Sequence, residues 1–124
     1  MYGMAPQRSA LLSITPLIPA GANLAEAVKF YKDRLGFKVL WEGMGMAAIA
    51  RDSISFNLVK NENREWAENA SFSIGVTNLD ALYEEYRDIQ DARVGPLETK
   101  AWGRREFHMI VPFGVCLQFY QQVR

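Results

Sequence analysis

Apolar residues recur along this chain in two helical runs that match each other, 55 positions apart. Leu24, Ala27, Val28 and Tyr31 stand at offsets 0, 3, 4 and 7, and Leu79, Leu82, Tyr83 and Tyr86 repeat those offsets. Such spacing puts side chains on one face of a 3.6-residue helix. Asn23 and Asn78 precede the runs, where a side-chain oxygen caps a first turn, and Glu26 stands three residues after Asn23 as in a capping box. The first helix closes at Leu35-Gly36, with glycine suited to the left-handed residue beyond a helix end. The second is expected to reach about Gln90.

Strand signals surround both runs. An apolar, β-prone segment over residues 11–18 leads into the first helix and stops at Pro19 and Gly21. Three short strands follow, at about 37–42, 46–51 and 54–60, with Gly43, Gly45 and Asp52-Ser53 as turns. Residues 61–69 read as a polar loop carrying Trp66. The second unit opens with a strand at 71–77 and shows weaker signals around Val94 and Thr99 after its helix. It ends in a hairpin of 106–111 and 115–121 turning at Pro112-Phe113-Gly114. The fold class is therefore α+β: two βαβββ modules in one chain, about 11–61 and 70–122, forming a cup-shaped mixed sheet with helices on the convex side. Residues 1–10 read as a flexible tail and 11–124 as a single domain.

Alternation sorts the strand faces. Ile54, Phe56 and Leu58 point one way, Ser55 and Asn57 the other. Phe72, Ile74 and Val76 oppose Ser71, Ser73 and Gly75, and Val115, Leu117 and Phe119 oppose Cys116, Gln118 and Tyr120. The apolar sets should pack beneath the helices. The other sets would line a concave surface of hydroxyls, amides and one thiol, holding no carboxylate or imidazole. Such a lining suits hydrogen bonding to a neutral or amphiphilic ligand; the alternative is an ordinary solvated sheet face.

Composition narrows the function. Fourteen basic and fourteen acidic side chains balance to zero, whereas a nucleic-acid binder carries a basic excess to neutralise phosphates. A single cysteine excludes an internal disulfide and fits a reducing compartment. Arg8, the apolar residues after it and Ala20-Gly21-Ala22 have a faint signal-peptide pattern, but Ser13, Thr15, Pro16 and Pro19 interrupt it. No run approaches the roughly 20 apolar residues of a membrane span. The expected location is cytoplasmic, with neither nucleic acid nor membrane as partner.

The segment Asn23-Leu24…Phe30-Tyr31…Leu35-Gly36-Phe37, repeated more loosely from Asn78, resembles the vicinal-oxygen-chelate superfamily over about residues 11–121. That superfamily includes glyoxalase I, extradiol dioxygenases, and fosfomycin and bleomycin resistance proteins. The resemblance implies paired βαβββ modules around a cup-shaped site. In metal-using members, four ligands, usually His or Gln and Glu, come from the first and last strands of each module. Those positions fall here on Thr15 or Pro16, Asn57, Ser71 and Gln118. None is a carboxylate or imidazole, the groups that hold hard or borderline divalent ions, so neither metal nor other cofactor is expected.

Among the subfamilies the bleomycin resistance proteins resemble the chain most. They share Thr15-Pro16, Trp102-Gly103 before the final hairpin, and an aromatic at Trp41. The resemblance implies a homodimer that sequesters a small molecule, bleomycin-like or otherwise aromatic, in grooves between subunits, with no catalytic residue. Such proteins tend to be acidic, and this chain departs from them in being neutral. The alternative function is a metal-dependent lyase, isomerase or dioxygenase of the same superfamily with a degenerate site. A scaffold module without ligand is a third reading.

The candidate ligand-binding residues are Trp41, Ser55, Asn57, Trp66, Ser71, Ser73, Trp102 and Gln118. The tryptophans would stack on planar groups, unless they serve as core or dimer contacts. Asn57 and Gln118 occupy corresponding places in the two modules and offer amide donors and an acceptor. His108, the single imidazole, is placed on the helix-facing side if Pro112-Phe113 is a two-residue turn; one more loop residue reverses that. Cys116 reads most simply as a small core-like residue. Glu62, Glu65 and Glu68 flank Trp66 as solvated residues or as attractors of a cationic ligand.

Overall fold

Two asparagines start the two long helices. In the computed structural model, which describes residues 8–122, Asn23 Oδ1 accepts a hydrogen bond from the Glu26 amide at 3.1 Å. Asn78, in the left-handed region at φ 51°, accepts from the Ala81 amide in the same way. Asparagine is among the few residues that tolerate that conformation. The helices are α1, Leu24–Asp33, and α3, Leu79–Tyr86. The second stops short of Gln90, because Arg87 already serves as its C-cap. Gly36 takes φ 80° just beyond α1, as its position required.

The first module comprises β1 (Leu17–Pro19), α1, β2 (Lys38–Gly43), β3 (Met46–Arg51) and β4 (Ile54–Val59). After α2 (Arg64–Asn69), the second comprises β5 (Ser71–Gly75), α3, the short β6 (Arg93–Val94) and β7 (Glu98–Thr99), then β8 (Arg104–Ile110) and β9 (Cys116–Gln122). Each module forms its own mixed sheet. The first runs β1-β4-β3-β2, with β1 parallel to β4; the second runs β5-β9-β8-β6, with β5 parallel to β9 and β7 also on β8. The repeated sequence signature thus yields the α+β architecture of two βαβββ units.

Each sheet buries one face under its helix. Tyr31 of α1 meets Phe37 and Phe56 edge-on, and Tyr86 and Tyr83 of α3 meet Phe119 and Phe107 in the same manner. A Phe56–Phe72 contact, with centroids 6.5 Å apart, joins the two into one apolar cluster. Burying one such aromatic stabilises the fold by about 3 kcal/mol.

Two sequence expectations change. The strand expected over residues 11–18 is confined to Leu17–Pro19; Leu11, Leu12 and Ile14 are almost wholly exposed. Pro16 lacks an amide to donate and is tied only through its carbonyl, which accepts from Asn57 N. Among the described residues, no strand lies beside the residues before it. The polar loop of 61–69 folds as α2, because Asn63 caps it by accepting from the Trp66 amide at 3.0 Å and Ala67 is fully buried. Most of the expected tail, residues 1–7, lies outside the described residues.

Candidate functional site

The helix-free face of the first sheet is mostly apolar. Register aligns Leu17, Asn57, Ala48 and Trp41 across β1, β4, β3 and β2. Directly paired residues point to the same side, so these four share one face. Ser55, paired with Ala50, lies on it as well. Trp41 reaches this face through a register shift between Val39 and Trp41. Val39 opposes Ile49 on the helix side, and the extra residue, Leu40, turns Trp41 outward, as a bulge does. Half of the Trp41 surface is exposed.

The corresponding face of the second sheet is polar. Ser73, Gln118 and His108 align across β5, β9 and β8, and the next amide, Gly95 N, donates to the His108 carbonyl. Superposing the two topologies, Gln118 matches Asn57 and His108 matches Ala48. Gln118 Nε2 donates to Ser71 Oγ at 2.7 Å, and Ser73 Oγ lies 3.5 Å from Gln118 Oε1. Four candidates, Ser71, Ser73, Gln118 and Asn57, therefore sit centrally on the two faces, with Ser55 and Trp41 beside them. Trp66 lies on α2 and Trp102 on the exposed turn before β8, outside the strands that form the two faces.

His108 contradicts the two-residue-turn register. The hairpin closes through Val111 N to Val115 O, with Pro112, Phe113 and Gly114 all in the loop. His108 therefore pairs with Gln118, not Leu117, and belongs to the polar face. Glu106 and Arg104 follow it there, so the expectation of a lining without carboxylate or imidazole is overturned. The signal was present: a three-residue hairpin loop calls for glycine at a special position, and Gly114 has φ 118°.

These residues form a continuous polar strip. Arg104 Nη2 donates to Ser73 Oγ at 3.0 Å, and its guanidinium carbon lies 3.9 Å from the Tyr120 ring centroid. Arg104 Nε stands 3.2 Å from Glu106 Oε1, an ion pair without hydrogen-bond alignment. Glu106 Oε2 accepts from His108 Nε2. Glu106 is 6% exposed, the one buried charged residue among those described. A buried carboxylate is costly unless paired, and both its oxygens are engaged.

Cys116 shares this face. Burial pushes its thiol pKa up, with hydrogen bonds involving Ser71 and Gln118 opposing the shift. The thiol is thus held protonated near neutral pH, and His108 Nε2 is already committed to Glu106, so no activated Cys–His nucleophile results. Among the described residues, no three His, Cys, Asp or Glu side chains converge on a common point that could hold a metal ion.

Two clefts lie elsewhere. One, of about 610 Å³, runs between α1 and the β8–β9 turn and is lined by Ala27, Phe30, Val111 and Phe113 among others. The second, about 680 Å³, is bordered by Arg64, Glu68, Asp91 and Arg93. Neither contains a candidate ligand residue.

The sequence model of the Glyoxalase/Bleomycin resistance protein/Dioxygenase superfamily matches residues 18–119, most of the chain. The chain belongs to this superfamily. Its relatives there include bleomycin resistance proteins of Geobacillus stearothermophilus and Staphylococcus aureus, each 24% identical over 92% of this chain and 99% of the relative. The fold agrees with the bleomycin-binding protein of Streptomyces verticillus complexed with copper(II)-bleomycin: TM-score 0.80, 28% identity, covering 90% of this chain and 97% of that one. An antibiotic binding protein from Streptomyces sp. CB03234 shares the fold at TM-score 0.69 and 18% identity, covering 92% and 99% of the two chains. The superfamily's paired βαβββ modules are the two sheets described above. No helix among the described residues is long and apolar enough to cross a membrane.

Proposed function

We propose that this chain is a binding protein that sequesters an aromatic, amphiphilic antibiotic of the bleomycin kind, as a homodimer in the cytoplasm, using no metal or cofactor of its own and no bond chemistry. The observation that carries this reading is the contrast between two equivalent strand faces. Trp41 and Leu17, each about half exposed, offer a stacking surface on one module. Ser73, Gln118 and the Arg104–Glu106–His108 strip offer hydrogen bonds on the other. A molecule with a planar apolar part and a polar part has complements on both. The bleomycin-binding relatives support the ligand class, and the protonated Cys116 with an occupied His108 Nε2 favours binding over catalysis.

Dimerisation is supported by apolar surface left open in one chain. Leu11, Leu12, Ile14, Leu40, Trp41 and Met44 are each about half to fully exposed, and exposed apolar groups of this size mark interaction surfaces. A second copy that covers them would also wall the strand faces into a closed site.

Tryptophan fluorescence tests the reading. EDTA-treated protein titrated with metal-free bleomycin is expected to show saturable quenching at one ligand per chain, in a species sedimenting at twice 14.1 kDa. Absence of binding to bleomycin and to a panel of aromatic antibiotics, together with stoichiometric divalent metal in untreated protein, would return the metal-dependent enzyme to first place.

A further inference from the structure

We infer that His108 donates, through Nδ1, to an open coordination position on a transition metal that the bound molecule itself carries. This rests on the sequestration reading and names the ligand more closely: a metal chelate rather than any amphiphile. Glu106 Oε2 holds His108 Nε2, and a carboxylate only accepts, so in the neutral ring the proton sits on Nε2 and the lone pair on Nδ1. Among the described residues, Nδ1 has no hydrogen-bond partner. The ring is less than half exposed and shares its face with Gln118 and Ser73, at the centre of the polar strip.

A carboxylate behind an imidazole is the arrangement that orients metal-binding histidines and raises their basicity. Here the carboxylate is buried and fixed from its other side by Arg104, so the imidazole is held in one tautomer and one direction. The pseudo-equivalent pair in the first module is Met46 and Ala48, which can do nothing of the kind. The dyad is thus particular to one half of the site. One imidazole cannot retain a free divalent ion, since such sites need three or four protein ligands. It can complete the shell of an ion already chelated. A relative in this superfamily is described as complexed with copper(II)-bleomycin, a ligand of that chemical type.

Two probes separate the inference from the reading beneath it. The first is copper(II)–diethylenetriamine, a small chelate with an open position, added to untagged full-length protein and followed by electron paramagnetic resonance. Wild type is expected to show nitrogen coupling from one added imidazole. His108→Ala should abolish that coupling, and Glu106→Gln should weaken binding by about 10-fold, the usual effect of removing the group behind a ligating histidine. The second probe compares copper-loaded with metal-free bleomycin. Wild type should bind the copper form at least about 10-fold more tightly than the metal-free form, and His108→Ala should bring the two forms to equal affinity. An unchanged copper spectrum in wild type, or equal affinity for both forms of the drug, overturns the metal contact and leaves sequestration standing. If neither form of the drug binds while the small chelate still reports His108, the ligand assignment fails instead. Retained near-ultraviolet circular dichroism in both variants guards against misfolding.

Discussion

A single inserted residue decides where Trp41 points. Without the bulge at Leu40 the indole would follow Val39 into the core; with it, Trp41 pairs with Ala48 on the outer face and stays half exposed. Trp41→Ala should therefore weaken antibiotic binding by about 2- to 12-fold, matching roughly 0.5–1.5 kcal/mol of stacking, with the midpoint of urea unfolding unchanged. Trp66→Phe, on α2 outside the strands that form the two faces, should leave affinity as it is. Loss of affinity in Trp66→Phe but not in Trp41→Ala would move the stacking surface to the helix. Residue identity made Asn57, Gln118, Ser71 and Ser73 legible in advance, because regular alternation assigned their face. Glu106, Arg104 and His108 were not legible, because their face depends on whether one hairpin loop holds two residues or three.

At the scale of elements, the repeated helix signature ends in two tyrosines that fare differently. The Tyr86 hydroxyl donates to the Leu35 carbonyl at 2.7 Å and accepts from Arg51 Nη1 at 2.8 Å, while the same guanidinium pairs with Glu85. This cluster ties the end of α1 to β3 and α3, and so joins the modules. The Tyr31 hydroxyl, equally buried, finds no partner among the described residues. Tyr86→Phe should cost about 1–3 kcal/mol in urea denaturation, since it leaves a buried carbonyl and a guanidinium short of a bond. Tyr31→Phe should cost nothing or stabilise. Burial raises the Tyr31 phenol and pushes Tyr86 from 10.0 up to about 12. The folded state then holds these protons more tightly than the unfolded one, so stability declines as pH rises from about 10 towards 12. Tyr86→Phe should flatten part of that alkaline limb. The helices, caps and most strands could be read from sequence because their signals are local. The first strand could not: its apolar residues were visible, but whether a neighbour exists to pair with them is a property of the whole fold. The polar loop was misread because a short helix capped by Asn63 carries too few apolar residues to show a period.

At the scale of the molecule, the repeated unit builds two similar sheets with dissimilar faces, one mostly apolar with an indole and one polar with a paired carboxylate and imidazole. The chain's neutrality follows the same division of labour: the charges on the polar strip are satisfied by one another, so binding should depend on shape and hydrogen bonding more than on net charge. The rival location is the cleft of about 610 Å³ between α1 and the β8–β9 turn, lined by Phe30 and Phe113. Amide and indole chemical-shift mapping of labelled protein during titration with metal-free bleomycin separates the two. Saturable shifts are expected at Trp41, Asn57, Ser73 and Gln118, with Phe30 and Phe113 unmoved; shifts confined to Phe30, Phe113 and their neighbours would place the ligand in the cleft and contradict binding at the strand faces.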